Sequence, residues 1–277
     1  MPKYKILTAR EQEIIDKKIK WLSLTQNESN ILSKSIRPKL KEISKINASK
    51  LLNKLEYNQK GLSLENKIKK IIIENVKNVA SIIIFGSAIQ TNYKNYNDID
   101  ILIITKDRQW KSPGDKYDII TKLTERANNL RLNIDIQLTD KNSFYLQYSS
   151  NPSLIYQLKD SKIIYGKTRI PTKVELSKLD LRMKLDWSDI DDEESNGIEI
   201  YQSLRNVILV RLLLNKIVDN EFLVRSVDDE LGRNLIARLK NNTASKFERK
   251  ITLVYIKELS EKTDKEIKEA KWEKIVL

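Results

Sequence analysis

The sequence predicts an α/β (α+β) sheet domain, flanked by a helical arm before it and a helical bundle after it. Short runs of β-branched residues alternate with amphipathic segments only between about residues 64 and 166. On both sides of this stretch, apolar residues recur at helical spacing and no strand pattern is found. We therefore divide the 277-residue chain into an arm (1–62), a core (63–170) and a bundle (171–277).

The arm is predicted to contain three helices, which cover residues 8–22, Gln26–Ser33 and a segment that starts at Pro38. The segment Asn58–Ser63, which contains Gly61, is predicted to be a linker or turn. The apolar residues expected to share helix faces in the arm are Ile15, Ile19, Leu22, Leu40, Ile43 and Ile46.

The core is predicted to start with a helix that Ser63 caps and that carries an apolar stripe from Leu64 to Val76. Strands and helices then alternate, which is typical of an α/β sheet. The predicted strands are Val79–Phe85, Ile99–Thr105, Leu132–Thr139 and Lys162–Tyr165, and the later helices are Tyr117–Leu130 and Pro152–Leu158.

The bundle is predicted to contain long amphipathic helices at about 173–187, 198–218, 228–240 and 244–268, with no strand beyond Pro171. The helix at 198–218 is apolar over much of its circumference, so we expect it at the centre of the bundle.

Two residue types are absent from the sequence, and their absence narrows the classes of catalytic and metal site that the chain can form. The chain contains no cysteine, which excludes disulfides and thiolate metal sites and fits a reducing compartment. It also contains no histidine, which excludes Ser-His-Asp triads and imidazole zinc sites. Acid–base chemistry would then depend on carboxylates, lysine, tyrosine or metal-bound groups, and oxygen ligands favour Mg²⁺ or Mn²⁺.

The positive charge is concentrated near the start of the chain. The net charge is +13, and residues 1–78 hold 18 Lys and Arg against 8 Asp and Glu. A basic segment of this kind suggests a polyanionic partner such as nucleic acid. Solvation of helices in a lysine-rich sequence explains the same composition, so the charge alone does not decide between them.

The sequence predicts no membrane segment and a cytoplasmic location. No apolar run approaches the roughly 20 residues that a membrane-spanning helix needs. The first residues are charged throughout and lack the apolar stretch of a signal peptide.

The chemically informative stretch is residues 81–105, SIIIFGSAIQTNYKNYNDIDILIIT. A buried strand leads into Gly86 and Ser87, ten residues follow, and Asp98 and Asp100 then open the next strand. Glycine lets the backbone approach an anion, and the serine hydroxyl with nearby N–H groups can hold phosphates. Two carboxylates two positions apart on a strand point to the same face, where a shared divalent cation would remove their repulsion.

Asp135 is the one charged residue within the apolar alternation of the predicted third strand. A carboxylate at such a position is costly unless something pairs with it, and a metal ion would. Two simpler interpretations remain open: Gly86 and Ser87 could form an ordinary strand-to-helix turn, and Asp98 could form an Asx turn. Asp100 and Asp135 are harder to explain in this way, because both interrupt runs of apolar residues.

This combination resembles the polymerase-β-like nucleotidyltransferase superfamily, whose members share a Gly-Ser turn, an Asp-x-Asp pair and a third acid on a neighbouring strand. The resemblance covers roughly residues 64–166, including the closing strand that ends at Gly166. It implies a minimal nucleotidyltransferase core with a mixed sheet. It also implies that Gly86 and Ser87 bind the nucleotide and that three acids are catalytic metal ligands: Asp98, Asp100 and Asp135.

The resemblance further implies a two-metal transfer of a nucleoside monophosphate from a nucleoside triphosphate to a hydroxyl, with release of pyrophosphate. Asp98 and Asp100 would hold both ions, Mg²⁺ or Mn²⁺, and Asp135 would complete the site next to the attacking hydroxyl.

The acceptor is not determined by the motif. The basic arm favours RNA, such as a tRNA end, and a toxin-type enzyme is one such case. An antibiotic of the aminoglycoside type and a protein are alternatives, and a non-catalytic nucleotide-binding, RNA-binding or antitoxin module is an alternative of another class. Tyr93, Lys94 and Tyr96 precede Asp98 and are expected to be exposed loop residues, with contact to the nucleotide or the acceptor as the alternative.

Overall fold

The computed structural model describes residues 6–20, 22–44, 58–190 and 195–277. The chain divides into two compact units, Met1–Tyr57 and Asn58–Leu277. The sheet and the C-terminal helices lie in the second unit, and the predicted boundary between residues 170 and 171 stays a prediction. Among the described residues, no helix has the length and apolar character needed to cross a membrane.

The described part of the first unit is helical. It contains α1 (Ala9–Ile19), α2 (Gln26–Ile31), a π-helical turn (Leu32–Ile36) and α3 (Arg37–Ser44). The three predicted helices are confirmed, although the π-helical turn makes the second and third continuous. Thr8 caps α1 through a capping box, in which its hydroxyl accepts from the Glu11 N–H and the Glu11 side chain accepts from the Thr8 N–H.

The apolar face predicted for the first helix is wrong. Ile14 and Ile36 are fully buried, whereas Ile19 and Leu22 are 69% and 55% exposed. The buried face of α1 therefore contains Ile14 and not the neighbouring residues that the spacing suggested. Among the other expected residues, Ile15 and Ile43 are half-buried, Leu40 is exposed, and Ile46 lies outside the described residues.

Two buried glutamates form ion pairs with lysines and so neutralise part of the positive charge of this unit. Glu28 lies 2.8 Å from Nζ of Lys17, and Glu11 lies 3.0 Å from Nζ of Lys39. The hydrogen bond from Lys17 is the largest cause that lowers the pKa of Glu28 to about 2. Both carboxylates accordingly stay ionised at neutral pH and hold the helices together through fixed ion pairs.

The second unit begins with α4 (Gln59–Asn75). The predicted linker at Asn58–Ser63 and the predicted cap at Ser63 are wrong, because the helix already starts at Gln59. Asn58 is the cap, and its Oδ1 accepts a hydrogen bond of 2.9 Å from the N–H of Gly61. The expected apolar stripe of this helix is confirmed by the buried residues Ile68, Ile71, Ile72 and Val76.

The central sheet has four strands in the order β3-β2-β1-β4. The strands are β1 (Val79–Phe85), β2 (Ile99–Thr105), β3 (Ile134–Asp140) and β4 (Lys162–Gly166). β1 runs antiparallel to β2 and β4, while β2 and β3 are parallel. The predicted α/β (α+β) class with a mixed sheet is therefore confirmed.

The helices of the core are α5 (Ser87–Gln90), α6 (Pro113–Asn129), α7 (Lys141–Tyr148) and α8 (Pro152–Lys159). We did not predict α7 from the sequence. Its segment offers few apolar residues at helical spacing, and its buried side chains are the two aromatics Phe144 and Tyr148.

The two faces of the sheet pack against different partners, because successive strand residues point to opposite sides. One face, which includes Ile82, Ile84 and Ile101, packs with apolar residues of α4 and α6. The other face, which includes Phe85 and Leu102, packs with α7, α8 and the C-terminal helices.

The C-terminal helices are α9 (Lys178–Asp186), α10 (Gly197–Leu214), α11 (Asn220–Leu231), α12 (Arg233–Lys240) and α13 (Lys246–Glu269). The expected central position of the helix at 198–218 is supported by α10, in which Ile200, Leu204 and Val207 are fully buried.

Two predictions for the bundle are wrong. The single helix predicted at 228–240 is two helices, since the chain turns at Gly232, whose φ of +79° interrupts the helical geometry. The absence of strands beyond Pro171 is also wrong: β5 (Glu175–Ser177) pairs antiparallel with β6 (Lys274–Val276). These strands are three residues long and far apart in sequence, so neither shows a period that a local pattern reveals.

Candidate active site

Gly86 joins the end of β1 to the first turn of α5. Its φ and ψ are 73° and −156°, a conformation that residues with a side chain rarely adopt. A Cβ at this position would lie 1.9 Å from Oδ2 of Asp100. The Asp100 carboxylate therefore lies directly against the glycine backbone, and the close approach requires glycine.

Strand register brings the acids together. Asp100 lies opposite Phe85 in the antiparallel pair and opposite Asp135 in the parallel pair of β2 and β3. Asp98 lies in the bend just before β2, two residues from Asp100, and its charge acts on the Asp100 carboxylate. The three predicted acids consequently lie at one end of the sheet, next to the turn that contains Gly86 and Ser87.

Asp100 carries an electrostatic penalty in this arrangement. Burial, followed by the charges of Asp98 and then Asp135, raises its pKa to about 6. Asp98 is half-buried and Asp135 is exposed, so the two neighbours keep contact with solvent. The negative charges of the two neighbours disfavour ionisation of the Asp100 carboxyl. A cation bound there would favour its ionised form instead.

The donor set fits a divalent cation with hard oxygen ligands. Within residues 6–20, 22–44, 58–190 and 195–277, no three Asp or Glu side chains are already gathered into a metal cluster. The charges of Asp98 and Asp135 act on Asp100, and the side chains would have to move closer together to share an ion. The chemistry of the site thus agrees with metal binding, while the assignment of the ligands remains a proposal.

The acids lie on the face of the sheet that the C-terminal helices cover. Phe85 and Leu102, which share this face with Asp100, belong to the same buried cluster as Leu204 of α10. Asp100 is therefore located just beyond the packed contact between sheet and bundle. Any acceptor that reaches the acids approaches on the bundle side of the sheet.

Ser87 is the first residue of α5 and is half-buried. Its carbonyl accepts a hydrogen bond from the Thr91 N–H at 3.0 Å. The residue thus stands beside Gly86 at the same end of the sheet as the acids, as the sequence predicts, and its role in phosphate binding stays a prediction.

The expectation that Tyr93 is an exposed loop residue is wrong. Tyr93 is only 5% exposed, and its hydroxyl donates to Oε1 of Glu65 at 2.7 Å. Nζ of Lys162 donates to the same carboxylate. Residues 91–97 are mostly polar, so their pattern predicts an exposed loop and not a buried side chain. The aromatic ring of Tyr93 itself was the one local feature that favoured burial. In the same loop, Lys94 is exposed as expected and Tyr96 is half-buried.

Comparison with known proteins agrees with this architecture. Residues 66–170 match the family model described as polymerase beta, nucleotidyltransferase. No curated protein matches the chain at a significant level.

Several solved structures resemble parts of the chain. One, a tri-AMPylated Shewanella oneidensis HEPN toxin in complex with MNT antitoxin, has 26% identity and a TM-score of 0.27, covering 39% of this chain and 73% of that chain. Another, the spectinomycin adenyltransferase AAD(9) from Enterococcus faecialis with ATP and spectinomycin, has 17% identity and a TM-score of 0.48, covering 73% of this chain and 98% of that one.

Both of these TM-scores are below 0.5, so we base the assignment on the family match and on the sheet that carries it. The matched range, 66–170, contains all four strands of the central sheet together with the Gly-Ser turn and the three acids. The match to the polymerase beta nucleotidyltransferase family therefore spans the whole candidate site and the sheet that positions it, residues 66–170 of the 277.

Proposed function

We propose that this protein transfers a nucleoside monophosphate from a nucleoside triphosphate to an acceptor hydroxyl, with release of pyrophosphate, and that the acceptor is RNA, such as a tRNA end. The observation that carries the transfer reaction is the position of Asp100. Strand register places it opposite Asp135, and its carboxylate touches the Gly86 backbone. One carboxylate thus connects the expected metal site with the expected phosphate site.

In this proposal, Asp98, Asp100 and Asp135 hold Mg²⁺ or Mn²⁺, two ions in all. Bound divalent ions would neutralise charge on the triphosphate and lower the pKa of the acceptor hydroxyl. Asp135 is the most exposed of the three acids, and we assign to it the acceptance of the proton of that hydroxyl. The Ser87 hydroxyl donates a hydrogen bond to a phosphate oxygen of the leaving pyrophosphate. Gly86 lets the triphosphate approach the backbone.

The RNA acceptor is supported by the charge of the first unit. Its buried glutamates are ion-paired with Lys17 and Lys39. Three other lysines of the described helices, Lys18, Lys34 and Lys41, are exposed. Such exposed lysines suit contacts with phosphates, which dominate the affinity of proteins for nucleic acids. A cytoplasmic location, where RNA is available, belongs to the same proposal.

The direct experiment incubates the protein with Mg²⁺, total RNA and each of the four α-labelled nucleoside triphosphates in turn. Label in RNA supports the proposal, including a toxin-type role if the labelled RNA is a tRNA. Label in a protein, or in an added aminoglycoside-type antibiotic, would identify another acceptor and overturn the RNA assignment. Metal-dependent nucleotide binding without any transfer would indicate a non-catalytic binding module.

A first prediction concerns the exposed lysines. Replacing Lys18, Lys34 and Lys41 together by Gln should weaken RNA binding and reduce its salt dependence, by a slope of about 0.7 to 0.9 for each phosphate that the variant no longer binds. The measurement is RNA affinity at a series of salt concentrations. As the control, triphosphate binding by the same variant should be unchanged. Equal RNA affinity of variant and wild type would assign these lysines to helix solvation only.

A second prediction concerns Ser87. Ser87→Ala removes one hydroxyl but leaves the backbone amides and the acids in place. A hydrogen bond to a charged partner contributes roughly 1.5–3 kcal/mol, so kcat/KM should fall by about 10- to 150-fold. Ser63→Ala is the matched control, since Ser63 is an exposed serine of α4. If Ser87→Ala and Ser63→Ala are equally active, residues 86 and 87 are a turn and the triphosphate is bound elsewhere.

A further inference from the structure

The loop of residues 91–97 connects the two parts of the candidate site, since Ser87 lies before it and Asp98 after it. Its first half has an unusual backbone: Asn92 and Tyr93 have φ values of 50° and 57°, in the left-handed region. Each non-glycine residue in that region costs free energy, so such a conformation persists only where surrounding contacts enforce it.

The strongest of these contacts is a polar network around the buried carboxylate of Glu65. The Tyr93 hydroxyl donates to Oε1 of Glu65 at 2.7 Å, and Nζ of Lys162 donates to Oε1 and Oε2 of Glu65 at 2.7 and 2.9 Å. Glu65 belongs to α4 and is 5% exposed, while Lys162 begins β4. Glu65 thereby ties the loop to a helix and to a strand.

The network also has a steric component. The Tyr93 ring fills the space beside Gly61, where a Cβ would lie 2.6 Å from the ring. Nδ2 of Asn58 donates to the Asn92 carbonyl at 2.6 Å. The first turn of α4 therefore has the shape and the hydrogen-bond donors that this loop conformation needs.

The loop is joined in turn to the Gly-Ser turn. The N–H of Tyr93 donates to the carbonyl of Ala88 at 2.7 Å, and the Thr91 hydroxyl lies 2.8 Å from the carbonyl of Ser87. At the far end, Nδ2 of Asn133 donates to the carbonyl of Asn97 at 3.0 Å. The Tyr93 ring also packs edge-on against the ring of Tyr96, two residues before Asp98, with 6.2 Å between the ring centres. A shift of Tyr93 would consequently be transmitted toward both Ser87 and Asp98.

Stability alone is a poor reason for this network. The Lys162 side chain is 53% exposed, so solvent screens its ion pair with Glu65, and exposed or half-exposed pairs contribute little to stability. Hydrogen bonds of a buried carboxylate do, however, select one geometry among several that apolar packing would allow. Burial and the hydrogen bond to Glu65 both raise the pKa of Tyr93, so its hydroxyl stays a donor at neutral pH.

We propose that Glu65, Tyr93 and Lys162 are positioning residues that hold the 91–97 loop so that Ser87 and Asp98 face the same metal–triphosphate complex. This inference rests on the proposed function, because it assigns the network to that site. None of the three residues is expected to touch the substrate; each acts through the backbone of the loop.

The test uses the full chain and Mn²⁺ as the probe, with free and bound ion measured by electron paramagnetic resonance. Tyr93→Phe keeps the ring beside Gly61 and removes only the hydroxyl. Tyr93 does not touch the metal, so only part of the lost hydrogen-bond energy acts on the metal site, and Mn²⁺ affinity should fall by about 5- to 20-fold. Hydrogen exchange of the amides of residues 92–98 should become faster.

Tyr156→Phe is the matched control. Tyr156 is also a buried tyrosine, and its hydroxyl donates at 2.5 Å to the carbonyl of Ile217, which joins α8 to the segment after α10. This variant should lose comparable thermal stability but keep wild-type Mn²⁺ affinity and wild-type exchange in the loop. Glu65→Gln preserves an acceptor for Tyr93 and should retain more Mn²⁺ affinity than Glu65→Ala.

The outcomes separate the two proposals. If the wild type binds Mn²⁺ and Tyr93→Phe matches Tyr156→Phe in affinity and loop exchange, the positioning role is overturned and the proposed function is untouched. If the wild type binds no Mn²⁺, the proposed function fails, and the positioning role fails with it. Weaker Mn²⁺ binding with faster loop exchange in Tyr93→Phe alone supports both.

Discussion

Asp100→Asn is expected to abolish nucleotidyl transfer while the fold is retained. Asp100 lies opposite Asp135 in the sheet and against Gly86. Its charge is therefore close to both the expected metal site and the expected phosphate site. Loss of transition-state charge stabilisation should lower kcat/KM by at least about 10³-fold. Single-turnover transfer of a labelled nucleotide measures this loss. Asp118→Asn makes the same chemical change on the exposed side of α6 and should be fully active.

The same variant should be at least as stable as the wild type in EDTA. The folded-state pKa of Asp100 is raised from 3.8 to about 6, so the ionised carboxylate destabilises the fold. For such a shift, the wild type loses stability as the pH rises from about 4 through about 6 and then levels off. The Tm values of Asp100→Asn and wild type should accordingly converge at pH 4 and differ most above pH 6. Wild-type turnover in Asp100→Asn would remove the basis for the proposed reaction.

Gly86→Ala is expected to damage stability and activity together. The new Cβ would meet Oδ2 of Asp100 at 1.9 Å, and the φ of +73° would strain any residue with a side chain. Backbone strain of this kind costs about 1–3 kcal/mol, and displacement of Asp100 adds a loss of metal binding. Thermal unfolding, Mn²⁺ titration and transfer kinetics measure the three effects.

Gly232→Ala separates strain from displacement. Gly232 has a similar φ of +79°, but no atom lies within 4 Å of a Cβ built there. It should therefore show a comparable backbone penalty with wild-type Mn²⁺ affinity and turnover. Equal behaviour of Gly86→Ala and Gly232→Ala in all three measurements would mean that the contact with Asp100 has no functional role.

Features that depend on neighbouring residues in the chain were predictable. The β-branched runs that end at Phe85 and Thr105 form strands, because side chains of this type favour extended backbone that is buried on both faces. The Gly-Ser turn and the Asp-x-Asp pair were found from their spacing, and the family match over 66–170 confirms the resemblance they carried. The roles of the individual acids were expected on the same basis and stay predictions.

Features that depend on distant partners were not predictable. The helix start at Gln59 was missed, because Gly61 resembles a turn signal and only the Tyr93 ring explains why a glycine is placed there. Ile19 has the spacing of a core residue, yet it is exposed, since α1 packs against the π-helical turn through the face that contains Ile14. Local periodicity indicates that a helix has an apolar side, but it does not indicate which element packs against that side.

The sequence by itself determined the fold class, the family resemblance and the set of candidate acids, because period, composition and motif spacing are local properties of the chain. Only the tertiary structure decided that Asp100 lies beside Asp135 and against Gly86, since strand order and register are set by pairing between distant segments. Only the tertiary structure also showed that Tyr93 is buried and that its hydroxyl donates a hydrogen bond to Glu65, 28 residues earlier in the chain. That contact exists because α4, β4 and the loop pack at one place, which no local pattern in the chain encodes.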